Sequence, residues 1–229
     1  MILYKKALII LRVLFLIPVL VLFSCATRRA TVLSGVLEWR LGEFEVSPPP
    51  GLSKTGNPRL VDSPYGKAMV FDGKADAFFI AANPLQGLHS FTVEVIVRPD
   101  ALGPKEQRFL HIGEPDGDRM LIETRLTDDG QWYLDTYLQS GQSNKTLADK
   151  TLLHPVGEWY HVALVVDNGR MVNYINGKLE LEGELDFGPI NTGETSIGVR
   201  LNRVYWFKGA VYAVRIKPRA LKPDEFTRH

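Results

Sequence analysis

Hydrophobic and polar positions alternate along most of the chain from Lys67 onward. In Phe91-Thr-Val-Glu-Val-Ile-Val-Arg98, the residues Phe91, Val93, Val95 and Val97 share one face. A period of two in β-branched and aromatic residues predicts a half-buried strand. Residues 130–138, 160–167, 171–175 and 211–216 repeat the pattern. Asp129-Gly130, Asn168-Gly169 and Asn176-Gly177 fall between such runs, and these pairs accept positive φ and close tight hairpins. Residues 47–58, with Pro48-Pro49-Pro50-Gly51 and Gly56-Asn57-Pro58, predict a loop, because proline brings no amide donor to a ladder. No segment has the helical period, and only Pro223-Asp-Glu-Phe226 predicts a short terminal turn. Many short strands joined by Gly and Asn/Asp turns predict an all-β sandwich or barrel. The pattern runs on without a linker, so one domain is expected.

The N-terminus departs from this pattern. Lys5 and Lys6 precede an apolar run over residues 7–23 that contains Arg12 and Pro18. A basic head, an apolar stretch and a small residue before the cut are the parts of an export signal. The run ends in Leu22-Phe23-Ser24-Cys25, which resembles the bacterial lipoprotein box. By that resemblance residues 1–24 are a signal peptide and Cys25 becomes the acylated mature N-terminus. Residues 25–35 then form a lipidated tether. Residue 26 is Ala rather than Asp, so the resemblance implies lipid anchoring in the bacterial cell envelope, at the outer membrane of a host that has one. An uncleaved anchor is the alternative, although the run is short for a hydrocarbon core of about 30 Å.

Composition matters once that segment is set apart. The 229 residues carry 27 Lys+Arg against 26 Asp+Glu, a net charge of +1. Lys5, Lys6 and Arg12 lie in residues 1–24 with no acid beside them, so the remainder carries −2. That excludes the basic excess of a general nucleic-acid binder. The single cysteine excludes a disulfide framework and a cysteine-rich zinc site.

Several motifs occur in a fixed order: Gly66-Lys-Ala-Met-Val-Phe-Asp-Gly73, Ser90-Phe-Thr-Val-Glu-Val95, Gly157-Glu-Trp-Tyr-His-Val-Ala163, Tyr174-Ile-Asn-Gly177, Ser196-Ile-Gly198 and Phe207-Lys-Gly-Ala-Val211. Over about residues 36–226 the chain resembles the laminin-G-like, concanavalin A-like jelly-roll domains of bacterial exported proteins. The resemblance implies a single all-β jelly-roll sandwich. Such sandwiches carry lectins, glycosidases and plain spacers, so fold alone does not give function.

The sequence offers little for catalysis. Glucanases of this superfamily place an acidic triad on one strand, and a retaining mechanism needs two carboxyl groups about 5–5.5 Å apart. The nearest match is Glu184-Leu-Asp-Phe-Gly-Pro-Ile190, where Gly188, Pro189 and Ile190 leave no final Glu. Glu180, Glu182, Glu184 and Asp186 fit instead the wet face of an exposed strand. There is no Gly-x-Ser-x-Gly elbow, no phosphate loop and no zinc spacing among the five histidines. A non-catalytic module is therefore expected.

Related laminin-G-like domains often hold calcium at a sheet rim, and by that resemblance Asp72 and Asp76 are the candidate metal ligands. The alternative is a tight turn at Asp72-Gly73 with Asp76 capping the next strand. Carbohydrate recognition needs an exposed aromatic beside polar groups. If residues 205–207 continue a strand, Tyr205 and Phe207 face one side and Trp206 the other. Trp206, with Arg200, Asn202 and Arg203 nearby, is thus the candidate ligand site. The expected partners are a membrane through the Cys25 lipid, and a carbohydrate or a cell-envelope protein. A structural accessory role and a hydrolase of scattered residues are the alternatives.

Overall fold

The computed structural model describes residues 35–227. Among them sixteen strands run in chain order: β1 (Leu37–Arg40), β2 (Leu52–Thr55), β3 (Arg59–Ser63), β4 (Gly66–Asp72), β5 (Ala77–Ile80), β6 (Ser90–Pro99), β7 (Glu106–Gly113), β8 (Arg119–Leu126), β9 (Gln131–Ser140), β10 (Ser143–Ala148), β11 (His154–Pro155), β12 (Tyr160–Asp167), β13 (Arg170–Ile175), β14 (Lys178–Glu184), β15 (Glu194–Ile197) and β16 (Lys208–Lys217). They form two antiparallel sheets. The first has the order β14-β13-β12-β6-β16-β4-β3, with β1 also beside β16. The second has the order β10-β9-β8-β7-β15-β5-β2, with β11 beside β9.

One core lies between the sheets. Phe91, Val93, Val95 and Val97 are buried as the alternation predicts, with Val162 and Leu164 of β12 beside them. From the second sheet Ile112, Met120, Ile122, Trp132 and Leu138 face them. The Asn-Gly hairpins form as expected. Asn168 and Asn176 adopt φ of 47° and 50°, and the flanking pairs Asp167/Arg170 and Ile175/Lys178 close two-residue loops. Gly209 allows close backbone approach, since a Cβ there would overlap the Arg98 carbonyl oxygen.

Three expectations need correction. The proline-rich stretch contains a strand, β2, which forms the edge of the second sheet against β5. An edge position leaves one side without ladder bonds, which suits a strand that follows three prolines. The outer face of β6 is also more buried than a half-buried strand implies. The C-terminal segment covers it: Leu221 and Phe226 pack on Ala163, Val165, Val172 and Tyr174. Thr92 Oγ1 donates to the Arg219 carbonyl at 2.9 Å and accepts from Leu221 N–H at 2.9 Å. Glu94 accepts from Thr227 N–H at 2.7 Å and lies 2.9 Å from His161 Nε2. Finally, Pro223–Glu225 forms a single 3-10 turn, as expected, but Glu180 is half-buried against His154 at 2.7 Å rather than wet.

Candidate functional site

The second sheet carries one continuous row on the face away from the core. Ser53, Phe79, Ser196, His111, Leu121, Tyr137 and Thr146 are successive register partners across β2, β5, β15, β7, β8, β9 and β10. Their chain neighbours Phe78, Ile80, Leu110, Ile112, Met120, Ile122 and Leu138 fill the core, so the row itself faces outward.

Residues 198–207, between β15 and β16, fold across the middle of this row. Phe207 N–H donates to the Gly198 carbonyl at 2.8 Å and closes the loop. Leu201 N–H donates to His111 Nδ1 at 3.2 Å, and Arg108 N–H donates to the Tyr205 carbonyl at 2.9 Å. Because Nδ1 accepts, His111 carries its proton on Nε2, which donates to the Glu114 carbonyl at 3.0 Å. Burial pushes the His111 pKa down to about 3, and Arg200, Arg119 and Arg108 add repulsion. His111 is therefore a neutral structural hub at physiological pH, with both ring nitrogens engaged by backbone groups.

On one side of the loop lies a groove of about 540 Å³. The half-buried ring of Phe79 and the side chain of Arg203 line it, with Ser53, Glu114, Glu194 and Leu201 around them. The Arg203 guanidinium stands 4.9 Å from the Phe79 ring centroid. Tyr205, 41% exposed, belongs to the same loop, and its ring lies 3.9 Å from the Arg108 guanidinium. Such stacks restrict ring motion as well as attract.

Arg108 is held in turn. Its Nη1 donates to Glu106 at 3.1 Å, and its Nε lies 2.9 Å from Glu123 Oε1 without the alignment of a hydrogen bond. Arg125 contacts Glu106 at 2.6 Å, Asp135 at 2.7 Å and Glu123 at 3.3 Å. Burial raises the Glu123 carboxyl to about 7, with Asp135 adding repulsion against the pull of Arg108 and Arg125. Glu123 and Asp135 are register partners. They are only 1% and 4% exposed and are clasped by arginines, so they do not form an accessible acid–base pair.

The sequence-derived ligand residues fall on this loop but in a different arrangement. Residues 205–207 do not continue a strand: β16 begins at Lys208 and Tyr205 has φ of 62°. Tyr205 and Phe207 therefore part company, with Tyr205 exposed, Phe207 in the core and Trp206 half-buried. Asn202 and Arg203 are exposed, whereas Arg200 is tied down through Nη2 to the Pro115 carbonyl at 2.6 Å and Asp116 at 3.0 Å. Phe79 escaped the sequence reading. Its signal was the adjacent pair Phe78-Phe79, which a strand must split between its two faces.

Asp72 and Asp76 meet at a turn where amides take up the oxygens. Asp72 Oδ1 accepts from Lys74, Ala75 and Asp76 N–H, and Asp76 accepts from Asn57 and Asp72 N–H. Calcium takes six to eight oxygens, and here three of the four carboxylate oxygens, Asp72 Oδ1 and both of Asp76, already accept backbone amides. Among the described residues no group of three His, Cys, Asp or Glu gathers to hold a metal. Cys25 and residues 1–34 lie outside the described residues.

A family model of the concanavalin A-like lectin/glucanases superfamily matches residues 72–226. The chain belongs to this superfamily. Domain 4 of an extracellular arabinanase from Geobacillus stearothermophilus, solved with arabinotriose, is a similar structure at 26% identity and TM-score 0.56. The match covers 74% of this chain and 79% of that one. A pentraxin from Limulus polyphemus shares the fold at 20% identity and TM-score 0.51, over 67% of this chain and 76% of its own. Among curated proteins none matches the chain. The structures it resembles thus include a domain solved with a bound oligosaccharide, and the jelly-roll expectation holds.

Proposed function

We propose that the chain is a non-catalytic carbohydrate-binding module, tethered to the cell envelope through a lipid on Cys25. The observation that carries this reading is the groove in which the Phe79 ring lies beside Arg203, with Ser53, Glu114 and Glu194 at its margin. A sugar presents an apolar C–H face and a rim of hydroxyl groups. An aromatic ring offers that face a platform, and carboxylates and a guanidinium meet the hydroxyl groups. The similarity to an arabinanase domain solved with arabinotriose supports a saccharide ligand. The enclosed, arginine-paired state of Glu123 and Asp135 supports binding without hydrolysis.

Titration calorimetry of the full chain in detergent, against arabino-, xylo-, cello- and laminari-oligosaccharides, tests it. Phe79→Ala is expected to weaken binding at least about tenfold, equivalent to about 1.4 kcal/mol, with an unchanged melting temperature because the ring lies outside the core. Adding calcium tests the metal expectation at Asp72 and Asp76 in the same assay. No heat with any of these sugars defeats the reading in favour of an accessory role with a protein partner. Separately, Cys25→Ser is expected to abolish palmitate labelling and to move the protein from the membrane to the soluble fraction. Retained labelling defeats the anchor.

A further inference from the structure

We infer that the ligand is an internal stretch of a neutral polysaccharide, held on both sides of the 198–207 loop rather than in the Phe79 groove alone. This rests on the carbohydrate reading above. Three arginine–aromatic stacks lie on the outer face of the second sheet: Arg203 on Phe79 at 4.9 Å, Arg108 on Tyr205 at 3.9 Å and Arg119 on Tyr137 at 4.9 Å. A pocket for one terminal sugar needs one platform. Three ring–guanidinium pairs on one face, each presenting an aromatic edge or remaining face beside hydrogen-bond donors, match a polymer that repeats the same groups along its length.

The register sets their spacing. Phe79 and Tyr137 lie on the same row, and β15, β7 and β8 separate their strands. Four inter-strand steps make roughly 19 Å, a span of several monosaccharides. Between them His111 and Ser196 are fully buried beneath the loop, so a ligand crosses over the loop. There it meets Asn202, Arg203 and Tyr205, all exposed. Beyond the loop Tyr137 is half-buried, and its hydroxyl donates to Gln139 at 2.9 Å, which fixes the ring. Rings held before binding lose little entropy on binding. Glu114 and Glu194 at the groove balance Arg203 and Arg119, and Glu106 pairs with Arg108, so the face has no excess of either sign and fits a neutral polymer.

The test is calorimetry of the full chain against the same four sugar series, from disaccharide to octasaccharide. Wild-type affinity is expected to rise at least about tenfold from disaccharide to hexasaccharide. Tyr137→Ala is expected to remove that rise and leave the disaccharide affinity alone, while Tyr137→Phe keeps it. If Tyr137→Ala melts early, the wild-type length dependence carries the test by itself. Affinity independent of length, or a rise untouched in a folded Tyr137→Ala, overturns the extended site. Phe79→Ala would still weaken every length in that case and the carbohydrate reading would stand. Silence from all four series overturns both.

Discussion

Phe207→Ala is expected to cost about 3–5 kcal/mol of folding stability and to abolish sugar binding with it. Phe207 is fully buried. Its ring lies 6.2 Å from that of Phe71 and 5.5 Å from that of Phe109. Phe71 belongs to the first sheet and Phe109 to the second, so the ring bridges the two layers of the sandwich. Truncation opens a cavity that flat sheets collapse into poorly, and the cost includes both transfer and cavity. Folded domains hold only about 5–15 kcal/mol, so one such change removes a large share. Phe207 also closes the loop that presents Arg203 and Tyr205, through its N–H to Gly198. The backbone bond survives the truncation, but loss of the buried ring frees the loop end, and binding falls even where the variant remains folded. Urea unfolding and calorimetry read the two effects. A stability loss under about 1 kcal/mol would show that the site relaxes around the gap and that the ring is not the anchor.

The sequence carried the sandwich more fully than it carried the site, for identifiable reasons. A period of two survives wherever one face of a strand meets the core, which is why β6, β9, β12, β13 and β16 were legible. Asn-Gly pairs at residues 168–169 and 176–177 specify hairpins through local backbone sterics alone, with no need of a distant partner. β2 was hidden because Pro48, Pro49 and Pro50 dominate its surroundings, and its pairing with β5 is set by tertiary contact. The burial of Glu94 and Thr92 depends on a C-terminal segment more than a hundred residues away, which no local pattern records. At the site, Arg200, Asn202 and Arg203 fall on the loop between β15 and β16, with Arg200 tied down and the other two exposed. Trp206 was chosen by alternation, and alternation fails where Tyr205 turns to positive φ. The arginine partners of Phe79, Tyr205 and Tyr137 come from other strands or loops in each case. Spatial pairing of that kind is invisible in one sequence.

The buried carboxyl of Glu123 makes the second large prediction, which concerns pH. Its pKa rises from an ordinary 4.5 to about 7 in the folded protein, chiefly through burial. In the unfolded chain it titrates near the ordinary value. Below pH 4.5 both states hold the proton, and the group's contribution is at its most favourable. Between pH 4.5 and about 7 the native state retains a proton that the unfolded state has released, so stability falls as pH rises. The whole change amounts to about 3 kcal/mol at 1.36 kcal/mol per pH unit, and above pH 7 it is constant. Other carboxylates act oppositely. Glu38 and Glu106 are held below the ordinary range by arginines that outweigh their burial, and Glu94 by His161. They lend stability that fades on acidification. A single pH curve therefore mixes both signs, and a difference separates them. Glu123→Gln removes one titration and leaves the others. The Gln variant is expected to gain about 3 kcal/mol relative to wild type between pH 4 and pH 8, read by denaturant unfolding across that range. Parallel curves would mean that Arg108 and Arg125 fully offset the burial, and that the Glu123 charge persists through neutral pH. The same comparison reaches the ligand site, because Glu123 braces Arg108 and Arg108 braces Tyr205. Glu123→Gln keeps the volume, and only above about pH 7, where the carboxyl is ionised, does it withdraw a charge from beside the Arg108 guanidinium.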